Sequence, residues 1–366
     1  MSASGDVVRI DAVALTEAVA ATFAAAGCAA GEAWTVADGL VEANLFGHDS
    51  HGVGLMPHYL ANLRAGLVRA GRSVRVTVDH GALVGMDGGR GFGQVIGEQA
   101  MAIAIDRARA TGVCVAGLAN SHHLARIGRW AEQCAAEGFA SVHFVNVLSR
   151  PLVAPWGGTD ARLATNPFCV GVPHAPHPLV LDYATSMVAL GKARHALEAG
   201  VPMAPGLLLD AAGRPTTDPA VMFGDPVGAL LPFGQHKGYA LAVMCELLGG
   251  ALSGGHVQHE DPKPNPMINT MLSIVFAPDK IAGRDAFATQ VGKLAAWLRG
   301  SPLQEGATRI HLPGEPERIA ARERERDGIP LPRGAFDALA ACARELGVGH
   351  FDDALRRAAD SPGAPR

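Results

Sequence analysis

The apolar residues change their period twice along the chain, and that change limits the folds open to it. From Val13 to Leu67 they recur every three or four positions, which is helical spacing. Val13, Ala14, Ala18 and Ala21 begin one helix, Trp34 to Phe46 form a second, and Met56 to about Leu67 form a third that stops at Gly66 or Gly71. Val74, Val76 and Val78 then alternate with polar neighbours, as in a strand. Further strands are expected at Ala82–Met86, Gly112–Leu118, Phe139–Val147, Leu179–Tyr183 and Met271–Phe276. Helices are expected between them at about Phe92–Ala110, Leu124–Glu137, Ala184–Ala199 and Lys237–Leu252. After Pro278 the helical period returns, at Asp285–Leu298, Glu315–Arg326 and Arg333–Leu346. Helices at both ends around a strand–helix middle predict a mixed α/β (α+β) chain. A discontinuous helical domain, residues 1–75 with 280–366, would hold an α/β domain, residues 76–279. At 366 residues, two domains are expected, because single cores stop growing near about 250–300 residues. The tail Asp360–Arg366 reads as frayed.

Composition removes several classes of function. The net charge is −4, so there is no basic footprint for nucleic acid or an anionic membrane. Apolar residues make up 48%, enough to bury a core. The start, Met1–Asp6, has no basic n-region, and no apolar run reaches the roughly 18 residues of a membrane span. Cys28, Cys114, Cys134, Cys169, Cys245 and Cys342 are scattered without a C-x-x-C pair, which points to free thiols in a reducing cytoplasm.

Familiar nucleotide and hydrolase motifs fail. Gly191-Lys192 is not a Walker A loop, and no G-x-S-x-G elbow occurs. Gly88-Gly-Arg-Gly-Phe-Gly93 precedes a helix but does not match G-x-G-x-x-G, so a standard Rossmann site is not expected. Histidine is the richer signal. Three pairs have H-x-x-H spacing: His48/His51, His174/His177 and His256/His259. A metal-dependent hydrolase or lyase would use such pairs, but the last two sit in loops without a full ligand set. Three other clusters carry chemistry-bearing residues at element ends. They are Gly47-His-Asp-Ser-His-Gly52, Asn120-Ser-His-His123 past a buried strand, and Gly234-Gln-His-Lys-Gly238 at a helix start. The chain has only five lysines, so Lys237 beside free helix amides is a candidate anion contact.

At these clusters the sequence resembles the malate/L-lactate dehydrogenase family of NAD(P)-dependent 2-hydroxyacid oxidoreductases, which is distinct from the Rossmann-type enzymes. Other carriers of the resemblance are Ala154-Pro-Trp-Gly-Gly158, Thr165-Asn-Pro167, Asp182-Tyr-Ala-Thr-Ser186, Pro215-Thr-Thr-Asp-Pro219, Pro313-Gly-Glu-Pro-Glu317 and Gly328-Ile-Pro-Leu331. The His48 and His122 stretches are most similar to the hydroxycarboxylate dehydrogenase B branch. The resemblance implies a non-Rossmann nucleotide-binding α/β domain inserted in a discontinuous helical domain, and a homodimer. It implies NAD or NADP as cofactor, a small 2-oxo or 2-hydroxy acid as partner, and no metal. It places the acid/base role on His123, with His51 and Ser50 beside it. Cofactor contacts fall on His123, Leu124, Ala125, Arg126, Ile127, Asp182, Tyr183, Ala184 and Lys237. Substrate contacts fall on His51, Thr165 and Arg126.

One position departs from the family pattern. Many members carry an Arg four residues after the Ser-His histidine, where this chain has Leu55. Carboxylate recognition would then come from Arg126, Arg162 or His51, and the pocket would favour a larger or aromatic 2-oxo acid. The same family includes ureidoglycolate and sulfolactate dehydrogenases and cyclic imino-acid reductases, which the sequence does not separate. The apolar face near residues 56–67 is a candidate dimer contact.

Overall fold

The computed structural model describes residues 7–262 and 264–359; the start Met1–Asp6 and the tail Asp360–Arg366 lie outside the described residues. The chain opens with β1 (Val7–Ile10), α1 (Ala12–Ala25), α2 (Ala30–Leu45) and α3 (Met56–Arg64). The Asp11 side chain accepts the Ala14 amide at 2.9 Å and so satisfies one of the free amides that begin α1. Pro57 lies in the first turn of α3, where its missing N–H costs nothing.

The middle of the chain supplies β2 (Arg75–His80), β3 (Leu83–Asp87), α4 (Gly93–Thr111), β4 (Val113–His122), α5 (Gly128–Ala136), β5 (Ala140–Leu148), β6 (Phe168–Val172), β7 (Leu179–Tyr183) and α6 (Leu190–Glu198). Short strands β8 (Leu208–Leu209), β9 (Pro215–Thr216) and β10 (Ala229–Leu230) form a small separate sheet. Next come α7 (His236–Met244), which runs on as π-helix over Cys245–Leu252, and β11 (Ile268–Phe276). The chain closes with α8 (Arg284–Arg299), α9 (Glu315–Asp327), β12 (Ile329–Pro332), α10 (Arg333–Glu345) and α11 (His350–Ala359).

The fold is mixed α/β. The main sheet has the order β2-β3-β4-β11-β5-β6-β7. Only β3 and β4 run parallel, so strand–helix alternation does not produce a doubly wound sheet here. The late strand β11 inserts between β4 and β5, and its buried run Ile268–Val275 belongs to the sheet centre. At the chain ends β1 pairs antiparallel with β12, setting Ile10 opposite Ile329. One core joins Ile10, Leu15, Leu40, Tyr59 and Phe92 to Ile329, Phe336 and Phe351. A second joins Ile96, Leu118, Trp130, Val145 and Met271 under the sheet.

Several elements differ from expectation, each for a visible reason. α5 begins at Gly128 rather than Leu124, because the Leu124 amide donates to Asn269 Oδ1 (2.7 Å) and Ala125 takes φ 58°. α6 begins at Leu190 rather than Ala184, because the Thr185 and Met187 amides are drawn sideways to the Thr165 and Leu231 carbonyls. β6, absent from the sequence reading, lies against α5, where a Cβ on Gly171 would come within 2.9 Å of Ala131. The apolar face of residues 56–67 is not open to a partner: Met56, Tyr59 and Leu60 are buried in the chain's own core. Five of the six free cysteines are buried.

His143, on β5, is fully buried, with Nδ1 2.8 Å from Ser273 Oγ and Nε2 2.9 Å from Ser141 Oγ. Burial lowers its pKa to about 3. An unfolded histidine titrates near about 6.5, so the contribution of neutral His143 is complete above that pH and is lost as pH falls towards 3. Urea unfolding at stepped pH should show stability declining below about pH 6.5. His143→Gln, which takes up no proton, should reduce that slope by up to about 1.4 kcal/mol per pH unit; identical slopes would contradict this account.

Candidate active site

β4 delivers Asn120, Ser121, His122 and His123 to the junction between the two cores. The register of β4 on β11 shifts beside Asn269, whose side chain fastens the Leu124 amide. The first residue of α4 is glycine for lack of room: a Cβ on Gly93 would come within 2.0 Å of the His123 carbonyl oxygen. The His123 peptide is therefore gripped by α4 on one side and by β11 on the other.

The facing wall is the 3-10 turn Asp49–His51. Asn44, at the end of α2, accepts the Val53 amide (2.8 Å) and donates to Asp49 Oδ1 (2.7 Å). Arg324 of α9 holds both Asp49 oxygens, at 2.6 and 3.0 Å. Gly52 leaves space for Asn44, since a Cβ there would come within 2.1 Å of Asn44 Oδ1. This scaffold lays the His51 ring on His123, with centroids 5.4 Å apart and planes 17° from parallel. Ser50 Oγ lies 3.0 Å from His51 Nδ1.

α3 provides the floor. Tyr59 Oη is 2.7 Å from His123 Nδ1, and Gln94 Nε2 is 3.3 Å from the same hydroxyl. Asn62 Nδ2 lies 3.0 Å from His122 Nε2 and 3.3 Å from His58 Nε2. Burial, then the neighbours His51, His122 and His58, hold His123 well below its usual pKa. Burial lowers His51 to about 4 and His122 to about 3, assisted by His48 and Arg126 at His51 and by His58 at His122. The pair is therefore neutral near pH 7, which suits a base more than a permanent cation.

The remaining candidates form a second tier. Thr185 donates its amide (2.9 Å) and hydroxyl (3.0 Å) to the Thr165 carbonyl, and Thr185's own carbonyl accepts the Phe233 amide at 3.0 Å. Thr165, the Asp182–Ala184 strand end and the approach to Lys237 are thus stitched together. Asp182 Oδ2 accepts the Gly128 amide at 2.7 Å, tying β7 to the start of α5. Burial raises its pKa, against His48, that amide and Arg126. Tyr183 packs between Phe168 and Phe233. Lys237 is exposed in the first turn of α7, and no ion pair engages it among the described residues. Gly191, at the head of α6, packs on Ser50 and connects the two tiers.

Arg126 is 3% exposed. Its guanidinium grips Glu132, approaches Glu42 at 3.6 Å and lies 4.2 Å over the Phe46 ring. Both terminal nitrogens are engaged by Glu132, which leaves the fork no open pair for a substrate carboxylate, while Nε is buried without a hydrogen-bond partner among the described residues. Arg162 is an exposed surface partner of Asp160. The H-x-x-H pairs do not assemble: among the described residues no three His, Cys, Asp or Glu side chains converge on a metal position. A cavity of 940 Å³ lies instead among Phe46, Phe139, Pro176, Lys280 and Arg318; His174 and His177 line it, but none of the residues proposed for catalysis, cofactor or substrate does. Tyr59, Asn62, Gln94 and Asn269 were not anticipated; a polar Tyr59/Asn62 pair on an otherwise apolar helix face was the one available signal.

The model of the family described as malate/L-lactate dehydrogenase matches residues 10–340. The chain belongs to that family. It is an oxidoreductase of the 2-hydroxyacid dehydrogenase type. It is 46% identical to hydroxycarboxylate dehydrogenase B of Escherichia coli (strain K12), over 93% of this chain and 95% of the relative. It is 40% identical to the L-lactate dehydrogenase of Cupriavidus necator, over 86% and 90%. The solved sulfolactate dehydrogenase of Methanocaldococcus jannaschii superposes with a TM-score of 0.85 at 30% identity, covering 94% of this chain and 99% of that one. Among the described residues no helix is long and apolar enough to cross a membrane.

Proposed function

We propose that the protein interconverts a 2-hydroxycarboxylate and a 2-oxocarboxylate by hydride transfer with NAD or NADP, His123 being the acid/base. The observation that carries this reading is the stacked His51–His123 pair: His123 is buried and held at Nδ1 by Tyr59, with the His51 ring lying against its face. The nicotinamide, when bound, supplies or receives the hydride. In oxidation His123 takes the hydroxyl proton at Nε2, and in reduction it returns it to the carbonyl oxygen. His51, with Ser50 on its Nδ1, orients the substrate oxygens. The α/β part, residues 76–279, is the proposed cofactor-binding domain. An anionic cofactor fits the second tier, where Lys237 is an exposed cation at the start of α7 and the 123–127 loop leads into α5; the Lys237, Gly238 and Tyr239 amides are already taken by the Gly234, Phe233 and Gln235 carbonyls, so the ammonium is the anion contact there. Asp182, Tyr183 and Ala184 line that approach through the strand end that fixes Gly128.

The substrate reading is narrower. Leu55, beside the His51 turn, is half-buried against the helical core and offers a methyl surface where many family members present a guanidinium. With Arg126 occupied and Arg162 at the surface, a second substrate carboxylate has no bidentate partner from these residues, and an apolar or aromatic side chain is favoured over oxaloacetate. Thr165 and His51 remain the proposed substrate contacts.

His123→Ala should lose kcat by about 10²–10⁴-fold with a reduced nicotinamide and a 2-oxo acid, while remaining folded; near-wild-type turnover would move the acid/base role to His51. Leu55→Arg should raise the kcat/KM ratio of oxaloacetate to phenylpyruvate by about 10-fold or more, the weight of a charge-assisted pair. An unchanged ratio would remove Leu55 from specificity.

A further inference from the structure

A histidine takes a proton at Nε2 only when its neutral form carries hydrogen on Nδ1, and that choice is set by what Nδ1 touches. Among the described residues, Tyr59 Oη, at 2.7 Å, is the one side-chain partner of His123 Nδ1. The Tyr59 ring is fully buried and walled by Phe23 (6.4 Å), Phe92 (6.2 Å) and His122 (4.8 Å), so its hydroxyl has a fixed place. Burial raises the phenol pKa, leaving a neutral hydroxyl with one proton and two acceptor sites.

Two other groups reach that hydroxyl. The His123 carbonyl oxygen, at 3.5 Å, can accept its proton, and Gln94, fully buried, meets it at 3.3 Å. If the Gln94 amide nitrogen faces Tyr59, one acceptor site is used, the phenolic proton turns to the His123 carbonyl, and the second site takes Nδ1–H. If the amide is turned over, the proton goes to Gln94 Oε1 and an acceptor site again takes Nδ1–H. Tyr59 could also donate to Nδ1, but that leaves hydrogen on Nε2 and no lone pair for the substrate. It would also force the hydroxyl to rotate each time His123 becomes doubly protonated.

We propose that Tyr59 is a positioning residue that accepts the Nδ1 proton of His123 in both protonation states, keeping the Nε2 lone pair available to the substrate. This rests on the reading of His123 as acid/base. The other groups facing His123 are His51 above it, His122 beside it and His58 beyond; with burial, all three disfavour the imidazolium. Tyr59 is the contact that favours it.

The test uses the full-length enzyme with 15N-labelled histidine. In the wild type near neutral pH, His123 Nδ1 should give a protonated-type 15N shift and Nε2 an unprotonated one. Tyr59→Phe keeps the ring and removes the acceptor. It should mix or reverse that pattern, lower kcat for hydroxyacid oxidation about 10- to 100-fold, and move the acid limb of kcat/KM to lower pH, with cofactor Kd unchanged. Loss of packing alone would not move the tautomer or the limb. An unprotonated-type Nδ1 in the wild type overturns the proposal even if the variant does not fold, as does Tyr59→Phe with an unchanged pattern and pH profile. If His123→Ala instead retains turnover, the acid/base reading itself has failed.

Discussion

Two consecutive histidines buried at the end of one strand govern what surrounds them. His122 is fully buried and His123 9% exposed. A buried polar group without a partner costs about 1–3 kcal/mol, so the neighbours must supply hydrogen bonds. They come from α3: Asn62 reaches His122 and Tyr59 reaches His123. α3 is anchored by Met56 and Leu60 in the core that both chain ends share, while β4 belongs to the sheet. The contacts that hold His122 Nε2 and His123 Nδ1 are thus also ones that fix the helical core on the sheet, while His122 Nδ1 stays buried without a hydrogen-bond partner among the described residues. Few adjustments are open there, because Gly93 already abuts the His123 carbonyl and Asn269 already holds Leu124.

Burial also sets the chemistry. Crowded imidazoles in an apolar setting repel protons, so the cluster stays neutral near pH 7. In the proposed reaction, a neutral histidine held at Nδ1 is the base that takes the hydroxyl proton. The charged groups lie further out. Arg126 is neutralised by Glu132, and Asp182 braces Gly128, so near the histidines they act as a frame.

Much of this was legible in the sequence, for physical reasons that differ by residue. His51 and His123 lie in polar clusters at the end of a helix and of a buried strand, which fit a structural turn as well as a site; the family resemblance singled them out, and the structure brings their rings together. β7 was read correctly over Leu179–Tyr183 because its apolar run is bounded by Pro178 and the polar Thr185. Tyr59 and Asn62 were hidden because a helix face that packs a core looks the same whether its aromatic residue ends in a ring or a hydroxyl. Arg126 looked free because its acidic neighbours, Glu42 on α2 and Glu132 one turn into α5, meet it only in three dimensions. The mostly antiparallel sheet was not readable either: β11 enters beside β4 more than a hundred residues after it, and no local pattern encodes such a pairing. The exposed strand β2 was legible from alternation alone, although neither of its faces is buried.

The central claim is that hydride passes directly between a nicotinamide and C2 of a small carboxylic acid while His123 handles the proton. The most direct measurement is isotopic. Reduced nicotinamide cofactor deuterated at the reactive C4 position, in both NAD and NADP forms, is turned over with phenylpyruvate in ordinary water, and the hydroxy acid is examined by mass spectrometry and NMR. The account predicts one deuterium at C2 of the product and an oxygen-bound proton drawn from water. Product carrying protium at C2, or cofactor that loses no deuterium while substrate is consumed, would contradict it.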